Sequence, residues 1–369
     1  MQFDMLKIDE YTLPVSADNP CGNDPRENVS PTSRYYSLKD VRNSARAKER
    51  KALVDEENVL SVATDWRPIA EQVPQALVDE CKDLEYVAWF IEARCRLSGF
   101  KGLAEGFVLA AKLIELYWDA LYPTPDPTDL EERLSPLIGL NGVDSEGSLI
   151  QPIKSILISQ GSTYGAFSTW QYDQAQEVAR LDKDKQQKRI DAGAVSLEEL
   201  ELSIKETDDE FYLHLCQDLE QAVAGFNLLS TAMDNAMQGV PQPTSYISKA
   251  LAHCQQQVLT IAEPILNKHR VADDEAELSH QQGVELSQNK PTNDKNIIKQ
   301  LSSREEAINN LSKVSEFFRK TEPHSPMSYA IEQVIRWSDL SLPELLNELI
   351  QDGEARNGYF KLSGIKPEE

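Results

Sequence analysis

From Phe211 through Leu215, Leu219, Val223, Phe226 and Leu229 an apolar side chain returns every three or four positions, the spacing that lines one face of an α-helix. The same period in Leu84, Val87, Trp89, Phe90, Ile91 and Leu97 predicts a central helix from Asp83 to Gly99, a residue suited to a left-handed stop. A third run, about Gly102 to Tyr122, carries Leu103, Phe107, Leu109, Leu113, Leu116, Tyr117 and Leu121 until Pro123, Pro125 and Pro127 end it. These last two runs read as a packed antiparallel pair. Before them, Ile69, Val73 and Leu77 follow an Asp65 N-cap candidate at helical spacing, with Pro74 as a candidate kink.

Other stretches change the period. Pro14, Pro20, Gly22, Pro25 and Pro31 predict an irregular, extended strap over the first thirty or so residues. Between Leu149 and Phe167 the β-branched cluster Ile150, Ile153, Ile156 and Ile158 leaves helix and strand both open. Ser196 and Glu199 read as a capping box, and Leu251, Val258, Leu259 and Ile265 line a helix over about Tyr246–Leu266. Asn267 to Asn296 holds almost nothing to bury and reads as a flexible linker. Beyond it, the Ser303–Glu306 capping pattern opens a helix that Pro323 ends, followed by shorter helices at about Ser328–Ser338 and Leu342–Gln351, the latter with Ser341 as cap and Pro343 in its first turn. The expected fold is mainly α: a helical N-terminal domain (1–167), a helical middle domain (168–266), the linker (267–296) and a small helical C-terminal oligomerisation segment (297–369).

Charge narrows the partners. Lys and Arg number 37 against 61 Asp and Glu, a formal charge of -24 in 369 residues, which repels phosphate backbones and anionic lipid. The cationic run Arg42, Arg46, Lys48, Arg50, Lys51 is broken by Glu49 and reads as a solvated helix face. The N-terminus lacks the cationic and apolar regions of a secretory signal, and the most apolar stretch is interrupted by Glu105, Lys112, Glu115 and Asp119, so a soluble cytoplasmic protein without membrane insertion is expected. Five widely spaced cysteines without a CxxC pair fit reduced thiols.

The search for chemistry assigns no catalytic, cofactor-binding or metal-binding residue. Nucleotide-loop, dinucleotide, zinc-protease, nucleophile-elbow and calcium-loop patterns are absent from the sequence, and His214, His253, His269, His280 and His324 stand far apart. Glu131–Glu132 and Asp208–Asp209 read as solvated helix surface, and the five tryptophans as core or interface anchors. The C-terminal segment, by contrast, carries Phe317, Phe318, Tyr329, Trp337, Leu342, Leu345 and Leu349 on short helices, and a core that small supplies no more than ~3–5 kcal/mol. Neighbouring copies would cover those side chains; docking back onto the chain's own N-terminal region would cover them equally.

Pro20–Asp24 (with Gly22), Asp65–Trp66, Lys82–Leu84 (with Asp83), Gly102–Gly106, Tyr117–Pro123 (with Trp118, Asp119 and Tyr122) and Glu132–Arg133 together resemble the ImpA N-terminal domain. Tyr172–Ala175, Gly193–Ser196, Ser303–Ala307, Phe317–Arg319, Glu322–Pro326 and Leu342–Leu346 resemble the rest of the TssA family of bacterial type VI secretion systems, in its shorter, baseplate-associated form. The resemblance implies a non-enzymatic scaffold whose C-terminal region forms a ring of ten to twelve subunits. It also implies recruiting or priming of baseplate, tail tube and contractile sheath. Glu322, His324 and Ser325 form a helix-turning elbow that either orients subunits in such a ring or joins helices within one subunit. The competing functions are a monomeric adaptor binding one partner through its N-terminal domain and, last, an unrecognised helical enzyme.

Overall fold

The computed structural model describes residues 5–54, 58–124, 130–281, 304–321, 327–338, 340 and 342–349. Two units divide the chain, Met1–Glu285 and Leu286–Glu369. Among the described residues there is no strand, only isolated β-bridges.

The first unit is built on α4 (Leu84–Tyr117), which doubles back on itself. Gly99 breaks it at φ 58°, ψ -138°, a conformation that side chains disfavour, so the stop expected at this glycine joins the arms of one hairpin. The arms lie antiparallel because glycines let them close: a Cβ on Gly102 would stand 2.2 Å from the Arg94 carbonyl oxygen, and one on Gly106 would stand 2.6 Å from Ile91 Cγ1. The Arg94 guanidinium binds Glu105 across the same seam. Around the hairpin lie α1 (Met5–Tyr11), α2 (Arg34–Val54), a 3-10 turn (Val59–Trp66) and α3 (Arg67–Asp79), which accommodates Pro74 within its length. Then come α5 (Glu131–Asn141) and the short α6 (Ile150–Lys154).

α10 (Asp209–Ala236) lies on α4, with Phe226 and Phe107 ring centroids 5.0 Å apart, and α11 (Ser245–Gln281) packs on α10. Leu219, Phe226, Leu251 and Val258 therefore belong to the same continuous core as Trp89 and Phe107, although the sequence places them in a middle domain. Each such side chain contributes about 1.5–3 kcal/mol on burial. Of three further helices, α7 (Thr169–Ala179) and α9 (Leu197–Glu206) meet around a small cluster of Phe167, Ala175 and Leu200, and α8 (Lys183–Asp191), between them in the chain, buries no residue. The expected capping box at Ser196 and Glu199 opens α9.

Several expectations need correction. The N-terminal strap opens with a helix, because Ile8 buries itself against the core. Asp65 does not cap α3; it pairs with Lys48 at 2.9 Å. Residues 149–167 hold one helical turn and then bridges, Leu157 to Ser168 and Gly161 to Gly165. α11 runs on to Gln281, fifteen residues past the predicted end at Leu266, while 282–296 lie outside the described residues. The cationic run on α2 is only in part a solvated face: Lys48, Arg50 and Lys51 are exposed, while Arg42 and the interrupting Glu49 turn inward to pair with α4.

The second unit contains α12 (Arg304–Thr321), α13 (Met327–Ser338) and α14 (Leu342–Leu349). α12 and α13 pack together.

All five cysteines are free and buried. Burial pushes the Cys95 thiol up to about 12 and the Cys254 thiol up to about 11, so neither forms the reactive thiolate near neutrality. In a thiol-colour assay at pH 8 these two cysteines are expected to stay silent until denaturant unfolds the chain; rapid labelling of Cys95 or Cys254 in the native protein would contradict their burial.

Candidate assembly surfaces

The motif residues of the first unit mostly face inward. Trp66 is fully buried, and its indole N–H donates to Glu49 Oε1 at 2.7 Å. The same carboxylate takes Arg96 on both oxygens, and the Arg96 guanidinium lies 4.1 Å over the Trp66 ring. Arg96 also donates to the Glu92 carbonyl at 2.8 Å, while the Glu92 carboxylate accepts from Arg42 and from the Ser148 hydroxyl. This string of buried charges ties α2 to the first arm of α4. Its sequence signal is Glu49, the acid interrupting a cationic run, which a reading of the run as surface passes over.

A second cluster gathers at the open end of the hairpin. Asp83, wholly buried, caps α4 by accepting from the amides of Glu85 and Tyr86, and its other oxygen takes both terminal nitrogens of Arg26 at 2.7 Å. Gly22 bridges to Cys81, and Tyr122 donates its hydroxyl to the Gly22 carbonyl at 3.1 Å. The amide of Tyr122 and the carbonyl of Lys82 pair at 3.0 Å, and Tyr122–Pro123 is a cis peptide. Arg133 reaches the carbonyls of Pro123 and Trp118 and stacks 4.9 Å over the Trp118 ring, with Asp119 as its neighbouring charge. Lys82, which sequence reasoning did not single out, is fully buried and donates to the carbonyls of Tyr11 and Leu77. Gly22, Asp83, Tyr122, Pro123, Trp118 and Arg133 thus come together as a latch. Gly102 and Gly106 lie in the hairpin seam, and Asp65 and Trp66 sit beside α2.

The second unit has the opposite character. Where α12 meets α13, the buried groups are small and polar: Ser315, whose hydroxyl donates to the Ser328 carbonyl at 3.1 Å. An ion pair, Arg319 on Glu332, flanks this contact, and a second, Arg336 on Glu348, joins α13 to α14. Large apolar side chains point outward instead. Phe317 is 60% exposed, Tyr329 64% and Leu349 52%, and Leu311, Val314 and Val334 are exposed with them. Leu311, Val314 and Phe317 follow one another at three-residue spacing along one side of α12. Phe318, Trp337 and Leu345 are partly covered. Glu322, His324 and Ser325 lie outside the described residues, as does the side chain of Leu342.

Among the described residues no group of three or more His, Cys, Asp or Glu is placed to hold a metal, and no helix is long and apolar enough to cross a membrane.

Comparison with known proteins agrees with this architecture. Residues 12–142 match the family described as ImpA, N-terminal, type VI secretion system. The type VI secretion system component TssA1 of Pseudomonas aeruginosa is 26% identical over 161 residues, which is 44% of this chain and 44% of that protein. The match therefore spans less than half of the relative's length. The solved N-terminal domain, including the conserved ImpA_N region, of the TssA component of the type VI secretion system from Burkholderia cenocepacia superposes with a TM-score of 0.58 at 23% identity. It covers 70% of this chain and 94% of that domain, a likeness of fold.

Proposed function

We propose that this chain, a member of the TssA family of type VI secretion components, works as a non-enzymatic oligomeric scaffold in the cytoplasm that helps recruit or prime baseplate, tail tube and contractile sheath. The observation that carries the reading is the exposed apolar side chains of α12 to α14, Phe317, Tyr329 and Leu349 among them, while the buried groups where α12 meets α13 are Ser315 and Ser328. A soluble protein that leaves such a face bare invites association, and a second copy offers the same face in return. Phe317, Phe318, Tyr329, Trp337, Leu342, Leu345 and Leu349 are the proposed contacts between subunits. Glu322, His324 and Ser325 are the proposed elbow that sets their angle, and ten to twelve subunits is the expected ring order. The likeness of Glu322–Pro326 to the shorter, baseplate-associated members supports a place for this chain among them.

Light scattering on the full chain tests this. The unsubstituted protein is expected as a large, single-sized particle at micromolar concentration. Phe317→Asp with Tyr329→Asp is expected to reduce it to small species, because burying an unpaired carboxylate costs several kcal/mol in every copy. A monomeric unsubstituted chain would overturn the scaffold and leave the adaptor reading, in which binding depends on residues 1–167 alone.

A further inference from the structure

A cleft of about 610 Å³ opens on the first unit between α2, the first turns of α4, α5 and the loop that follows α5. Arg42 and Arg46, one helical turn apart on α2, form one wall, and Trp89 lies at its base. Ser135 and Ser145 stand among the residues of the opposite side.

Three arginines, Arg26, Arg42 and Arg46, line this cleft together with three glutamates. Arg96 occupies both oxygens of Glu49, and Arg42 shares the Glu92 carboxylate with Ser148. Arg26 pairs with Asp24, Asp83 and Glu85, so of the three arginines that line the cleft Arg46 is the one left without a hydrogen bond or ion pair among the described residues. It is only partly exposed. Burial pulls it below its ordinary value, aided by repulsion from Arg42 and Arg96 and opposed by attraction from Glu92 and Glu49, and an incoming anion would add to that attraction.

We propose that this cleft binds a protein segment presenting a single carboxylate side chain, with Arg46 as its ion-pair partner and Arg42 as a flanking donor. The size is that of a site for several side chains; a lone phosphate would leave most of it empty. Glu85, Glu132 and Glu146 also line the cleft, and with the chain's charge of -24 they repel polyphosphates and nucleic acid while tolerating one acid. An arginine fork meeting a carboxylate supplies orientation as well as attraction. The site lies wholly within the first unit, so it stands whether or not the chain forms a ring.

Saturation-transfer NMR on the full chain, with the peptide acetyl-Ala-Leu-Glu-Leu-Ala-amide as probe, decides the matter. The glutamate and leucine protons of the probe are expected to receive signal, reduced at least fivefold when glutamine replaces its glutamate. Arg46→Gln is expected to reduce the transfer by a similar factor with an unchanged helical spectrum. Gly139→Glu, also on the cleft wall, has nothing within 4 Å of its Cβ and puts a carboxylate of the chain's own into the cleft, so it is expected to compete with the probe. Absence of transfer to the unsubstituted chain, or equal transfer in both variants, overturns the proposal. So does complete displacement of the peptide by inorganic phosphate at equal concentration, which would make the cleft a small-anion site.

Discussion

Glu49→Ala is expected to cost the first unit about 3–5 kcal/mol, the penalty for breaking a buried ion pair and leaving the other charge in place. Arg96 is the charge left behind, its side chain only 1% exposed. Beyond that, Trp66 loses the acceptor of its buried indole N–H. Water cannot replace the carboxylate cheaply here, because the Trp66 ring covers the guanidinium from one side. The double change Glu49→Leu with Arg96→Met removes both charges at similar volume and is expected to recover most of the loss. Urea unfolding followed by tryptophan fluorescence measures both. A Glu49→Ala protein within 1 kcal/mol of the unsubstituted chain would show that the pair is not sequestered as described.

Gly22→Ala is the second large effect, and its cause is steric. Gly22 sits at φ +69°, and a Cβ there would fall 1.9 Å from the Glu80 carbonyl oxygen. Backbone strain of this kind costs about 1–3 kcal/mol, and forcing the clash apart adds a comparable amount. The bridge to Cys81 and the hydrogen bond from Tyr122 are lost with it. The strap bearing Arg26 is then expected to come away from Asp83, and limited trypsin digestion should cut at Arg26 in the variant well before the unsubstituted chain. Equal digestion rates would mean that the strap is held by its other contacts. Gly139→Ala serves as a control: with nothing near its Cβ, it is expected to leave stability unchanged or raise it by up to ~1 kcal/mol.

The cleft, the buried charges and the latch all lie on the first unit, where the family resemblance is also carried. Asp83 and Arg133 of the latch, and Trp66 beside α2, act through buried contacts within the chain. A cap, a stacked cation and a bridge each admit few side chains, so these positions are constrained by folding. The outward face of α12 to α14 is where recognition of other copies is proposed.

Helical periodicity alone determined the helical class, the hairpin around Gly99, the helix of Phe211 to Leu229 and the three C-terminal helices. These are set by interactions within a few residues, and a side-chain pattern of period 3.6 records them directly. Tertiary structure alone decided that α2 turns Arg42 and Glu49 inward, that α10 and α11 share a core with α4, and that the motif residues converge. Arg26 and Asp83 are 57 positions apart, Glu49 and Arg96 are 47, and no local pattern encodes which distant partner a charge will find. A cation beside an acid reads as solvated surface until the fold removes the water around it.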